Sequence, residues 1–329
     1  MVFYHALLLI VIDYLQRLGG CDGTYFLVGS YKARCHNIKL VAMLASKDQQ
    51  GRFFGILDGG RGLIEALLAT VAIALFAYLL SQDAGSTKLA LKQVIYLYVA
   101  VLLIVSPLVY WLLDDLEAEE AGDEEIKQGV FIDDLKDVLS RREIWLCAIC
   151  IVCGYQLFYA TYSFAAYLQQ NFSLTAVMVG YITVAKLWMR PIGGIAAGFI
   201  GDWANPEKIL SVLLVLASIS MGLMVIVPVN SAAVLMTFIV LLIGLLTYGV
   251  RGLYWATLGG CNVPNKIKGL AIGIISVIGY FPEVYLPLLS APLIENYPGG
   301  LGYKIYYLIM AACGILGAYA AYLLSKPSN

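Results

Sequence analysis

Histidine is nearly absent: the 329 residues contain two, His5 and His36. The side chain most used as a general base and metal ligand is therefore missing from most of the chain. No Gly-x-x-x-x-Gly-Lys-Ser/Thr run is present, which excludes the phosphate-cradling loop of an ATP-driven pump. Charge is scarce too, at 13% of residues, roughly half the share of a soluble domain. The alternating pattern of a membrane β-barrel is lacking. No nucleophile triad stands out, so neither an enzyme nor a bound cofactor is expected. Cys147, Cys150 and Cys153 share the spacing of an iron–sulfur motif, but they lie on one apolar stretch with no fourth ligand in a suitable loop. They read as packing residues, and no metal site is expected.

What the chain does have is apolar length. Hydrophobic residues make up 61%, and the mean hydropathy is +0.82. Eight runs, at 52–80, 92–113, 144–168, 176–200, 208–228, 232–258, 268–294 and 302–324, each exceed the roughly 20 residues that cross a hydrocarbon core. Backbone groups in lipid must be satisfied within their own segment, so the runs predict helices. Lys and Arg in the connections are segregated. One side holds Arg17, Lys32, Arg34, Lys39, Lys47, Arg52, Lys127, Lys136, Arg141, Arg142, Lys208, Lys266, Lys268 and Lys326; the other holds Lys88, Lys92 and Lys304. The positive-inside rule places the richer side, with the C-terminus, in the cytoplasm of a multi-pass protein.

Residues 114–143 form the one long polar connection. It opens with an acidic run and ends in an amphipathic stretch (Phe131, Ile132, Leu135, Val138, Leu139) expected to lie along the membrane surface. Two spans precede it and six follow, which marks a domain boundary. Residues 1–50 show no clean period and no confident span.

The order Gly51-x-x-x-Gly55-Ile56 returns 218 residues later as Gly269-x-x-x-Gly273-Ile274, and the same offset sets Glu65 opposite Glu283. Matching acids at matching depth point to a parallel repeat of the kind found in two-halved transporters.

The stretch Gly198-Phe199-Ile200-Gly201-Asp202 with Lys208, the runs Gln50 to Gly55 and Asp58 to Gly62, Arg251 to Ala256, and Gly279-Tyr280-Phe281-Pro282-Glu283 together resemble a major facilitator superfamily permease. The likeness covers residues 50 to 325 and leans towards bacterial inner-membrane carriers of small organic and inorganic anions. It implies an all-α membrane fold of two six-helix bundles. Residues 1–50 would be an irregular remnant of the N-terminal bundle, 51–113 its last two helices, 114–143 the acidic cytoplasmic linker and 144–329 the complete C-terminal bundle. The first three helices of a full member would be missing. Gly198, Gly201, Asp202 and Lys208 would form the second copy of the family's gating loop, although Trp203 stands where the full signature has arginine. The implied partners are a small-molecule solute and the lipid bilayer of the cell inner membrane, with no nucleic acid.

Charges within spans are costly, about 2.5–3.5 kcal/mol each on insertion scales, and normally face the bundle interior or a wet cavity. Arg61 lies i+3 from Asp58 and i−4 from Glu65, which allows a local ionic set. Lys186 and Arg190 share one helix face and repel unless a carboxylate or solute anion sits between them; Pro191 adds a kink point. Arg251, flanked by Tyr248 and Tyr254, is the leading solute ligand, because its planar fork suits carboxylate, phosphate or nitrate. Its competing role is an ion pair with Glu283 or another acid. Tyr155, Gln156, Tyr159 and Tyr162 add solute-facing candidates, and Glu283, after Pro282, is a candidate for proton coupling. Three readings stand: a secondary transporter of a small anion working by alternating access, a truncated non-transporting permease, and a membrane sensor on the same fold.

Overall fold

Apolar runs of this length close their hydrogen bonds only on themselves, and helix is what they form. The computed structural model describes residues 45–46, 49–82, 87–113, 128–228, 233–261 and 263–326, and no strand occurs among them. Most of the expected N-terminal remnant, the acidic run after residue 113 and several loop lysines and arginines lie outside the described residues.

The order is α1 (Gln50–Ser81), α2 (Thr87–Leu113), the amphipathic α3 (Gln128–Ser140), α4 (Arg142–Ala160), α5 (Phe164–Phe172), α6 (Ala176–Ala204), α7 (Pro206–Ile226), α8 (Ala233–Leu253), α9 (Asn265–Tyr280), α10 (Pro282–Asn296) and α11 (Leu301–Leu324). Among the described residues seven segments are long and apolar enough to cross a membrane, where eight were expected. The one that falls short is α6. It forms a 29-residue helix, about 43 Å long, but Lys186, Arg190, Pro191 and its glycines dilute its apolar character.

Three expected continuous spans are composite. A 3-10 turn at Thr161–Ser163 separates α4 from α5, and the Ser163 hydroxyl donates back to the Ala160 carbonyl at 2.7 Å. Residues Tyr254–Cys261 continue α8 as a buried 3-10 helix, with the Thr257 hydroxyl on the Tyr254 carbonyl at 2.6 Å. Pro282 opens α10 at its first turn, because proline cannot carry α9 further. Pro191, by contrast, lies within an uninterrupted α6. Between α6 and α7 the chain reverses at Asn205, whose φ is +86°. Its side chain accepts from the amides of Glu207 at 3.1 Å and Lys208 at 3.2 Å, satisfying two donors of the new helix.

The Arg142–Phe172 span is the axis of the molecule: 72% of its most apolar window is buried, against 11% for α1 and 6% for Thr87–Pro107. Around it α7 and α11 pack through Leu210, Leu214, Ala217, Met221, Met310 and Ala321. Tyr167, Tyr303 and Tyr307 with Phe164 form edge-on and tilted ring contacts at 5.3–5.5 Å. Cys147, Cys150 and Cys153 are buried in this packing, Cys150 against the Gly317 carbonyl at 3.7 Å. The helix α3 docks through buried Val138 and through an ion pair of Asp134 with Lys266 at 2.9 Å. α2 leaves Leu103 and Ile104 exposed, a surface suited to acyl chains.

Candidate functional site

The site is organised by α6, which lies between α1 and α8. It runs antiparallel to α1, and both faces meet their neighbours through glycine. A Cβ at Gly55 would stand 2.6 Å from the Gly194 carbonyl oxygen, and one at Gly252 of α8 would stand 2.7 Å from the Gly194 Cα. Only backbone fits there, so the helices touch along their main chains.

At one end of this seam the Asp202 carboxylate caps α1. Its oxygens accept from the Gly51 amide at 2.7 Å and from the Arg52 amide at 2.9 Å, two of the helix's otherwise unpaired donors. The Arg52 Nε donates to the same carboxylate at 2.9 Å. The family signature and the Gln50–Gly55 run, read apart in the sequence, are thus one contact. Gly201 packs on Leu253. Lys208 is exposed, and Trp203 stands 88% exposed beside this capped end.

Twelve residues back along α6, about 18 Å, lies a buried ionic cluster. Arg190 grips Asp58 with two nitrogens, Nη2 to Oδ1 at 2.7 Å and Nε to Oδ2 at 3.2 Å. Its Nη1 bonds Glu65. Arg251 Nε reaches the same Asp58 Oδ1 at 3.1 Å. Gly62 lets the guanidinium cross, since a Cβ there would lie 2.6 Å from the Arg190 Cδ. The ring of Tyr248 sits 5.8 Å from that guanidinium.

Asp58 and Glu65, expected to pair locally with Arg61, also reach across to α6, and Asp58 further to α8. The same carboxylates resolve the expected repulsion between Lys186 and Arg190. Lys186 turns away and donates to the Thr161 carbonyl at 3.2 Å and hydroxyl at 3.1 Å, under the rings of Tyr162 and Phe164. It thereby holds the break between α4 and α5. The acid on Arg251 is Asp58, while Glu283 receives the Tyr155 hydroxyl.

Arg251 is 5% exposed. Its guanidinium lies 4.2 Å over Phe158 and 5.7 Å from the Tyr155 ring, and its Nη1 has no hydrogen-bond partner among the described residues. Beside it is a cavity of about 30 Å³ whose walls include Asp58, Arg61, Arg251, Tyr254, Trp255 and Tyr280. That is space for one or two water-sized groups. Trp255 Nε1 donates to the Tyr280 hydroxyl at 3.2 Å. Of the other candidates, Gln156 is buried on α4 and Tyr159 packs between Tyr155 and Tyr162.

Phe158, Thr161, Trp255 and Tyr280 carried no functional weight in the sequence reading. Asp58 carried too little. The signal available for it was an acid in a span with four glycines (Gly55, Gly59, Gly60 and Gly62) within four residues, marking where a neighbouring backbone comes close. The proposed repeat is only half matched: Gly55 meets α6, whereas a Cβ at Gly273 would meet nothing within 4 Å.

Comparison with known proteins bears on this arrangement. The profile of the Major Facilitator Superfamily matches residues 37–287. The inner membrane protein YihN of Escherichia coli (strain K12) is 27% identical over 326 residues, covering 95% of this chain and 76% of that one. The inner membrane protein YqcE of the same organism is 28% identical over 298 residues, covering 88% of this chain and 69% of that one. Among solved structures, the E. coli fucose:proton symporter FucP superposes with a TM-score of 0.63 at 15% identity, covering 98% of this chain and 82% of that one. The proton:xylose symporter XylE, bound to 6-bromo-6-deoxy-D-glucose, gives 0.61 at 14% identity, covering 91% and 68%.

Proposed function

Because the chain belongs to the major facilitator superfamily, a multi-pass transporter fold of the inner membrane rather than an enzyme, we propose that it moves a small anionic solute with Arg251 as the anchoring group. One observation carries this reading: a buried guanidinium, 4.2 Å over the Phe158 ring, keeps one nitrogen without an acceptor among the described residues and lines a small cavity. A buried donor left unmade costs about 1–3 kcal/mol, more when charged. An anionic oxygen entering the cavity recovers that energy. Tyr254 lines the same space, and Arg190 steadies Asp58 from the other side.

Transport in this reading is by alternating access, with residues 51–113 and 144–329 as parts of two bundles that move relative to one another. The glycine contact of α1 with α6 is the sliding surface, and the Asp202–Gly51–Arg52 cap, at the end the loop charges favour as cytoplasmic, is the gate contact. Glu283 and Glu65, with Arg61, are the groups through which proton coupling would act; otherwise the carrier works by exchange.

The test is uptake of a panel of radiolabelled monovalent and divalent anions into proteoliposomes holding this chain. Saturable uptake of at least one anion, reduced about tenfold or more by Arg251→Lys, supports the reading, because lysine keeps the charge but not the fork. Uptake indifferent to that change removes Arg251 from the site.

A further inference from the structure

We propose that Asp58 is the built-in occupant of the solute site: its carboxylate holds Arg251 until the anionic group of the solute takes its place. This rests on the reading of Arg251 as the solute's anchor. The argument begins with one oversubscribed oxygen. Asp58 Oδ1 serves Arg190 Nη2 at 2.7 Å and Arg251 Nε at 3.1 Å. The bond to Arg190 is the shorter and is doubled by Nε on Oδ2, whereas Arg251 has a single, longer bond. Arg251 is therefore the partner Asp58 gives up more easily, and on releasing it Asp58 keeps a complete bidentate pair. No carboxylate is stranded by the exchange.

The arginine is equally prepared for it. Phe158 and Tyr155 back its guanidinium, so the fork stays oriented while its acceptor changes. A bidentate acceptor would also satisfy the Nη1 that Asp58 leaves unmade.

Charge sets the class of solute. In and around the Asp58 cluster the described residues place four cations, Arg61, Lys186, Arg190 and Arg251, against three carboxylates, Asp58, Glu65 and Glu283. One added negative charge balances the centre, and a second would stand uncompensated in a low-dielectric interior. A singly charged carboxylate or sulfonate fits this better than a dianion.

The exchange also has a mechanical consequence. Asp58 belongs to α1 and Arg251 to α8, so their bond ties two helices across the seam. A diffusible anion on Arg251 removes that tie, and site occupancy then becomes freedom for α1 to move.

The test is the midpoint of thermal unfolding of the purified full chain, titrated with methanesulfonate and, separately, with sulfate, for wild type, Arg251→Gln, Asp58→Asn and Asp58→Glu. A ligand that binds only the folded state raises the midpoint with the logarithm of one plus its concentration over its dissociation constant. The expected result is stabilisation by methanesulfonate that follows this one-site curve, weaker stabilisation by sulfate and none in Arg251→Gln. Asp58→Asn should bind about tenfold or more tightly, the size of one charge-assisted bond no longer competing. Asp58→Glu, which retains a competitor, should stay within about threefold of wild type. A merely structural Asp58 would give weaker binding on substitution, never tighter. Unchanged or weaker binding in Asp58→Asn, with Arg251→Gln still inert, overturns the displacement and leaves Arg251 as the anchor. Stabilisation that persists in Arg251→Gln, or is absent from wild type and Asp58→Asn alike, overturns both. Should Asp58→Asn fail to fold, the wild-type infrared difference spectrum on adding methanesulfonate decides the matter: a shifted carboxylate band lost in Arg251→Gln supports the exchange, and an unchanged band contradicts it.

Discussion

The α1–α6–α8 seam and the α4–α7–α11 block hold helices together by opposite means. In the block, side chains interdigitate: Leu214, Met221, Met310 and a run of tyrosine rings fill the space, and Ser211 ties α7 to the Ala318 carbonyl of α11 at 2.8 Å. In the seam, backbone lies on backbone at Gly55, Gly194 and Gly252, and the strength comes from a few charges at two levels, Asp202 and Asp58. Interlocked side chains resist sliding, since any shift must repack them. A smooth glycine surface resists little, and ion pairs can exchange partners. On the proposed mechanism, that difference separates a fixed body from a movable joint.

The sharpest way to break this contrast is to remove the charge that spans the joint. Asp58→Ala leaves two buried guanidinium groups without their shared carboxylate, and it should cost about 3–5 kcal/mol and abolish uptake. Denaturant unfolding in detergent and the proteoliposome assay together check it. In the block, Leu214→Ala should cost about 2–5 kcal/mol, yet the protein that remains folded should still transport. Equal activity in the two would erase the distinction.

Bulk on the seam comes next. Gly55→Leu should overpack α1 against α6 by about 1–3 kcal/mol and stop uptake. Gly273→Leu, facing open space, should leave both uptake and stability near wild type. Loss of transport in both would mean that α9 moves against a neighbour as α1 does.

Smaller effects grade the two levels. Asp202→Asn should cost about 1–2 kcal/mol by weakening the cap on α1, read as faster hydrogen exchange at the Gly51 and Arg52 amides. Tyr307→Phe in the block removes the hydroxyl contact to Ser163 of 3.0 Å. It should cost about 0.5–1.5 kcal/mol without altering uptake.

The all-helical membrane fold was legible because twenty-residue apolar runs have one solution in lipid. Arg190 and Arg251 were legible as interior charges for the same reason. Their partner was not. Periodicity along α1 offers Asp58 only Arg61 and the neighbouring turn, while its bonds to Arg190 and Arg251 depend on how close three glycine faces bring α6 and α8. The break at Thr161 was hidden because no proline or glycine adjoins it, and the one at Tyr254 because Gly252, Gly259 and Gly260 stand in an apolar run that otherwise reads as helix. They arise from hydroxyl and lysine contacts that exist only after packing. Pro191, read as a kink point, lies inside a helix that continues past it. Asp202 was recognised as part of a signature, but its ligands, two backbone amides of a helix 150 residues away, leave no trace in side-chain pattern.

The central claim is that the seam moves and the block does not. Distances between paired spin labels test it, in a chain whose native cysteines are replaced. One pair joins exposed Tyr78 of α1 to exposed Ile226 of α7; the other joins Ile226 to exposed Leu308 of α11. With saturating methanesulfonate, the first distribution should shift or broaden while the second stays as it was. A first pair that holds still, or two pairs that change alike, would contradict the account.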